Sequence, residues 1–234
     1  LYCLLSALTS SILFVLTLIF LKKERKRTTL VLIHFLYTHI AKPVLFLIDP
    51  ETVHTHIVLF GEKIGSQKVI RSITKFLIYK TDPKLAQSFA GISFNSPVGL
   101  AAGFDYEAKL TQTLAPWGFG FQTVGTITNY PCAGNPKPML GRLPKSKSLM
   151  VNKGFRNLGA NKTIAKLKKY SFEIPVGISV GMTNTLKLKT QQEALKDIIS
   201  AFNKLESANL NISYYELNIS CPNLPGKINF YSSK

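Results

Sequence analysis

Tyr214-Tyr215-Glu216-Leu217-Asn218-Ile219-Ser220-Cys221-Pro222-Asn223-Leu224-Pro225-Gly226 is the stretch whose reading decides the fold. It opens as a short strand pattern in which Tyr215, Leu217 and Ile219 alternate with other residues. Pro222, which has no ladder donor, breaks that pattern, and Pro225-Gly226 turns the chain. At the break stand Asn218, Ser220, Cys221 and Asn223, four side chains able to hydrogen-bond or transfer a proton. Polar groups gathered where a strand ends are what a β/α barrel uses to build a site. The plainer reading is a strand running into an ordinary polar loop.

Working upstream, residues 98–105 (Val98-Gly99-Leu100-Ala101-Ala102-Gly103-Phe104-Asp105) read as a short apolar strand that sheds its side chains at its end. Small residues there let a planar ligand lie directly against the backbone. Residues 119–127 form a second apolar strand pattern ending at Gly125-Thr126, and residues 176–180 a third. Helical patterns fall at 110–114, 157–167 and 190–205, with a proline-rich loop through Pro131, Pro136 and Pro138. Strands alternating with helices in this way imply parallel strands joined by crossovers, hence an α/β fold.

The first 87 residues differ in character. Residues 1–21 are uncharged and largely apolar, long enough to cross a ~30 Å hydrocarbon core as a helix. The basic run Lys22-Lys23-Glu24-Arg25-Lys26-Arg27 follows at once, which marks the cytoplasmic flank of a span. A cleaved signal peptide would carry its charges before the apolar run, not after it. A second apolar-rich segment, 30–47, is interrupted by His34, Thr38, His39 and Lys42, and Pro43 marks a break in it. Asp49-Pro50-Glu51-Thr52 reads as a helix start, with Asp49 as N-cap, and Val53, Ile57, Val58 and Ile64 as its apolar face. His54 and His56, two apart, point to different sides of that helix and read as packing or surface residues. The expected organisation is therefore a transmembrane helix and basic flank at 1–29, a helical membrane-association module at 30–87, and an α/β domain at 88–234.

A formal net charge of +17 suits nucleic acid or an anionic membrane surface, but Lys and Arg are scattered and no aromatic-interleaved basic module accompanies them. Nucleic acid is therefore not an expected partner. Cys3, Cys132 and Cys221 are odd in number and far apart, which argues against a disulfide framework and suits a reducing compartment. None has CxxC spacing, so no metal site is expected.

Taken together, several of these stretches carry a resemblance. Asp49-Pro50-Glu51 with a following His, 99–105, Gly118-Phe119-Gly120, 124–128, Gly134-Asn135-Pro136-Lys137-Pro138, Gly154-Phe155 and 218–223 follow one another in an order that resembles dihydroorotate dehydrogenase, the FMN enzyme of pyrimidine synthesis. The match runs from about Phe46 to the last residues, and the N-terminal helices resemble the membrane-associated, quinone-dependent class. The resemblance implies a β/α (TIM) barrel, oxidation of dihydroorotate to orotate, FMN as cofactor and a quinone as electron acceptor; the basic flank after the apolar run places the expected catalytic domain on the cytoplasmic side of the cell inner membrane. It implies that Ala102, Gly103, Thr126 and Asn218 lie against the flavin and that Asn218 and Asn223 hold the substrate. Asn152, Gly154 and Phe155 follow as substrate residues, and Cys221 matches the general base. That base must sit opposite the flavin, within hydrogen-bond reach of the proton it removes.

Four features depart from the family pattern. Cys221 stands where the quinone-dependent class usually has Ser. Tyr106 replaces a lysine that reaches flavin and substrate carboxylate, leaving Lys109, one turn later, as a substitute cation. Asn152-Lys153-Gly154-Phe155 is one residue tighter than the family's Asn-x-x-Gly-Phe, and Ser179 occupies the place of a flavin-contacting Asn. A barrel of this type has eight strands and roughly 250 residues, whereas four strand patterns follow Ser88 here. The chain therefore reads as the N-terminal half of a barrel. Another FMN-dependent pyrimidine reductase and a catalytically silent membrane-anchored barrel fragment remain open alternatives.

Overall fold

A computed structural model describes residues 26–80, 82–224, 228 and 230. The expected span at 1–21 and most of its basic flank lie outside the described residues. The first described element, α1 (Lys26–Phe46), is a 21-residue helix containing an 18-residue stretch of mean hydropathy 1.4, none of that stretch buried. It does not break at Pro43. A π-helical stretch at Tyr37–Ala41 widens the turn just before it, which accommodates a ring that would otherwise meet a carbonyl four residues back.

Helix α2 (Pro50–Gly65) starts as the sequence predicts, with Thr52 N donating to Asp49 Oδ2 at 2.8 Å and Pro50 at the first position. Of the expected apolar face, Val58 is buried, Val53 and Ile64 are half-buried, and Ile57 is exposed. Glu51, Gly61 and Gly65 join Val58 on the buried side, while Leu59 and Phe60 are exposed. The two glycines explain the choice. A Cβ at Gly61 would come within 2.4 Å of Leu110 and one at Gly65 within 2.3 Å of Thr113, so bare backbone lets α2 seat on residues 110–113. Thr113 Oγ1 fixes that seat by donating to Gly61 O at 2.7 Å. Helix α3 (Lys68–Leu77) follows, with Val69, Ile73 and Phe76 exposed.

Two short antiparallel hairpins frame the domain, β1 (Gln87–Phe89) with β2 (Ile92–Phe94) and β5 (Leu140–Leu143) with β6 (Ser148–Val151). Neither is foreseen above, because three- and four-residue strands beside prolines read as loop. The main sheet is parallel, in the order β3 (Gly99–Leu100), β4 (Phe121–Ile127), β7 (Val176–Val180) and β8 (Tyr214–Leu217). These are the four strands expected from the sequence, and pairs such as Thr123 with Gly177 and Ile178 with Tyr215 set the register.

Helices α4 (Ala160–Leu167) and α5 (Gln191–Ser207) cross over to join them. Val124, Ile127, Val176, Ile178 and Val180 face Ala160, Leu167, Ala194, Ile198, Ala201 and Leu205, forming the main core. Alternate residues face the other way, so Tyr214 meets Thr123 through a 2.8 Å hydroxyl contact on the opposite side of the sheet. Leu217 is 53% exposed despite its strand alternation, because β8 is an edge strand.

Two helix expectations are corrected locally. Residues 110–114 form turns leading into a 3₁₀ segment at Ala115–Trp117, since Asp105 takes the amides of Lys109 and Leu110 into its own carboxylate. Residues 157–159 stay outside α4, because Asn157 Oδ1 accepts from Gly159 N at 2.6 Å and Gly159 adopts φ 78°.

Candidate active site

The C-terminal ends of the parallel strands hold two chains of hydrogen-bonded side chains. The first runs along the sheet. Ser179 Oγ donates to Glu216 Oε1 at 3.0 Å, lies 3.1 Å from Thr126 Oγ1, and that hydroxyl accepts from Asn218 Nδ2 at 2.8 Å. Thr126 and Ser179 are buried, and Asn218 Oδ1 is buried with no partner. Gly103 is tied to the same place, its amide donating to Gly125 O at 2.7 Å. Gly103 adopts φ 100°, and a Cβ there would meet nothing, so the backbone after Ala102 faces open space.

The second chain links loops. Asn135 Nδ2 donates to Asn152 Oδ1 and to Asn223 O, each at 2.8 Å. Asn184 Nδ2 donates to Asn135 Oδ1 at 3.0 Å and to Gly154 O at 2.8 Å, while Asn223 Nδ2 donates to Val151 O at 3.0 Å. Phe155 is buried at φ 54°, its ring packed where a Cβ on Gly181 would lie, next to Thr126 and Asn218 O. Cys221 sits between Asn218 and Asn223 as a free, half-buried thiol. Burial pushes its pKa up, partly opposed by the Asn223 amide that donates to it.

The structure thus brings together Thr126, Ser179 and Asn218 in one group and Asn152, Gly154 and Asn223 in another. Asn135, Asn184 and Glu216 are additions that residue-by-residue reading misses. Asn135 lies inside a motif quoted above, but nothing in the sequence shows that its amide faces three loops at once.

Lys109 does not act as the substitute cation, for its ammonium pairs with Glu107. Tyr106 is buried, its ring stacked on His54 at 5.6 Å, and Lys153 Nζ lies 5.2 Å from its centroid. That ammonium is buried without a hydrogen-bond partner, and burial lowers its pKa while the Glu51 carboxylate opposes the shift. Glu51 in turn accepts from Arg156 at 3.0 Å, which ties α2 to the loop after Phe155. His54 Nε2 meets Phe104 O at 2.9 Å, whereas His56 stays on the surface, as the spacing predicts.

Fold and site define an α/β protein that collects its polar groups at one end of a parallel sheet. The chain belongs to the dihydroorotate dehydrogenase family, whose profile matches residues 84–234. It is 34% identical over 188 residues to "Dihydroorotate dehydrogenase (quinone)" of Mycobacterium sp. (strain KMS), covering 80% of this chain and 51% of that protein. To the protein of the same name from Mycobacterium marinum (strain ATCC BAA-535 / M) it is 40% identical over 185 residues, covering 78% and 49%. A solved structure of DHODH from Eimeria tenella in complex with ferulenol is similar at TM-score 0.62 and 29% identity, over 76% of this chain and 46% of that one. The ligand-free structure from the same organism gives 0.61 and 30%, over 76% and 48%. The chain spans about half the length of the curated relatives it matches.

Proposed function

We propose that the protein oxidises dihydroorotate to orotate in pyrimidine synthesis, with FMN as cofactor and a quinone as electron acceptor, on a β/α barrel associated with a membrane. The observation that carries this reading is the convergence of both polar chains on residues 218–223, the loop that holds Cys221. The site fits a flavin on its own terms. Open backbone at Ala102-Gly103 leaves room for a flat ring, and the orphaned Asn218 Oδ1 calls for an N–H donor. Ala102, Gly103, Thr126, Ser179 and Asn218 would hold that ring; when bound, FMN supplies the hydride acceptor.

The chain's own residues do the rest. Asn152 and Asn223 orient the substrate, Gly154 and Phe155 shape the loop beneath it, and Cys221 takes the ring proton. Only the thiolate accepts a proton, and burial raises the thiol's pKa. The rate of substrate oxidation therefore rises with pH to a higher value than for an ordinary cysteine, about 8.5.

The test uses the intact protein under anaerobic conditions. Dihydroorotate should bleach the bound flavin, and an added quinone should restore its colour. Cys221→Ala should keep the flavin but slow bleaching on the order of 10²–10⁴-fold and abolish the rising pH limb. A wild-type flavin that dihydroorotate leaves coloured overturns the function. An alanine variant of wild-type speed and pH profile removes Cys221 from it.

A further inference from the structure

We propose that Asn184 reads the substrate directly, its Oδ1 accepting a ring N–H of the bound dihydropyrimidine, with Asn135 and Gly154 fixing its orientation. The inference rests on the function proposed above and adds a residue that neither the sequence motifs nor the family pattern singles out.

An asparagine amide carries two donor hydrogens and one acceptor oxygen. Both donors of Asn184 are committed, to Asn135 Oδ1 at 3.0 Å and to Gly154 O at 2.8 Å. Its Oδ1 is buried and has no partner. The amide cannot relieve this by turning over, because Gly154 O is a backbone carbonyl and accepts only; a flipped Asn184 would set oxygen against oxygen. Asn135 is fixed in the same manner, since one of its hydrogens goes to the backbone carbonyl of Asn223. Two backbone carbonyls therefore decide the orientation of the whole chain of amides, and the side-chain assignments follow from them.

The packing at Gly154 points the same way. A Cβ there would lie 2.4 Å from Asn135 Oδ1 and 2.7 Å from Asn184 Nδ2, so the amide pair rests directly on bare backbone. The acceptor left over belongs to the group that holds Asn152 and Asn223. Asn135 turns the oxygen of Asn152 toward itself, which leaves the Asn152 Nδ2 to face elsewhere as a donor. The amides thus offer donor and acceptor from neighbouring loops. A cyclic ureide presents carbonyls and N–H groups in alternation, so it answers both. A buried acceptor next to the substrate loops calls for a partner, and a ring N–H is the one the proposed ligand supplies.

The experiment measures binding of orotate and of its N1-methyl and N3-methyl derivatives to the intact flavin-loaded protein, through the shift each produces in flavin absorbance. Asn184→Leu keeps the volume and removes the amide; Asn184→Ser serves the same comparison if the leucine variant does not fold. The variant should lose orotate affinity by about tenfold, the usual weight of one hydrogen bond. For one of the two methylated ligands the difference between wild type and variant should vanish, because the N–H that Asn184 reads is gone. Equal losses for all three ligands, or no loss for any, would show Asn184 to be a packing residue and overturn the proposal. A wild type that binds no orotate overturns this inference together with the function, whereas a wild type that binds orotate and a variant without the selective pattern overturns this inference alone.

Discussion

At the scale of single residues, Asp105 bears the most weight outside the proposed chemistry. It is 1% exposed and accepts from Lys109 N at 2.8 Å, Leu110 N at 2.7 Å and Gln122 Nε2 at 2.6 Å. Burial pushes its pKa up, and the three donors pull against that shift. All three partners donate, so an amide in its place sets two hydrogens against hydrogens. Asp105→Asn should cost about 2–3 kcal/mol, read as a lower denaturant midpoint with an unchanged slope. A midpoint within error of wild type would show that the carboxylate does not organise this turn. Single residues were also where sequence reading succeeded least evenly. Thr126, Ser179 and Asn218 are joined by hydrogen bonds, a link that the sequence reading did not draw. Lys109 looked available by helical spacing, but that segment is not a helix and its ammonium pairs with Glu107.

At the scale of elements, α5 shows how local sequence fixes a boundary. Thr190 Oγ1 accepts from Glu193 N at 3.2 Å, and Glu193 Oε2 accepts from Thr190 N at 3.0 Å, a reciprocal cap. Thr190→Ala should lower stability by about 1 kcal/mol, measured by thermal or denaturant melting. The amides of Lys189 and Thr190 depress the Glu193 pKa. A depressed carboxylate stabilises the fold above its unfolded-state value and loses that contribution as pH falls through its folded-state value. Glu193→Gln should therefore flatten the acid limb of the stability profile, and an unchanged limb would count against the cap's charge. Long, capped or strongly periodic elements such as α2, α5 and the four parallel strands were legible from sequence. The two hairpins were not, because their pairing is decided by tertiary contact and each strand is too short to show a period. The buried face of α2 was read only in part, Val58 being buried and Ile57 exposed, for a related reason: a hydrophobicity pattern cannot see that two glycines permit closer approach than any side chain.

At the scale of the whole molecule, the N-terminal helices carry an exposed apolar surface. Val31, Leu32, Phe35, Ile40 and Val44 on α1 and Val69, Ile73 and Phe76 on α3 are all exposed, beside exposed Lys68 and Lys75, the latter paired with Glu173, and half-buried Arg71. Apolar side chains rimmed by cations suit an anionic lipid surface. Replacing Val69, Ile73 and Phe76 together by serine should weaken binding to anionic vesicles, each fully buried side chain being worth roughly 1.5–3 kcal/mol. Undiminished sedimentation with vesicles would show that α3 does not touch lipid. The amide chain at the strand ends carries one more consequence, for folding. Asn135 is separated from Asn184 by 49 positions and from Asn223 by 88, so its bonds close only after two crossovers have docked. Contacts between such distant partners form late and set the pace of assembly. A ligand held by these loops is therefore a stopwatch: the moment it binds during refolding marks the last long-range closure, well after the helices have recovered their circular dichroism.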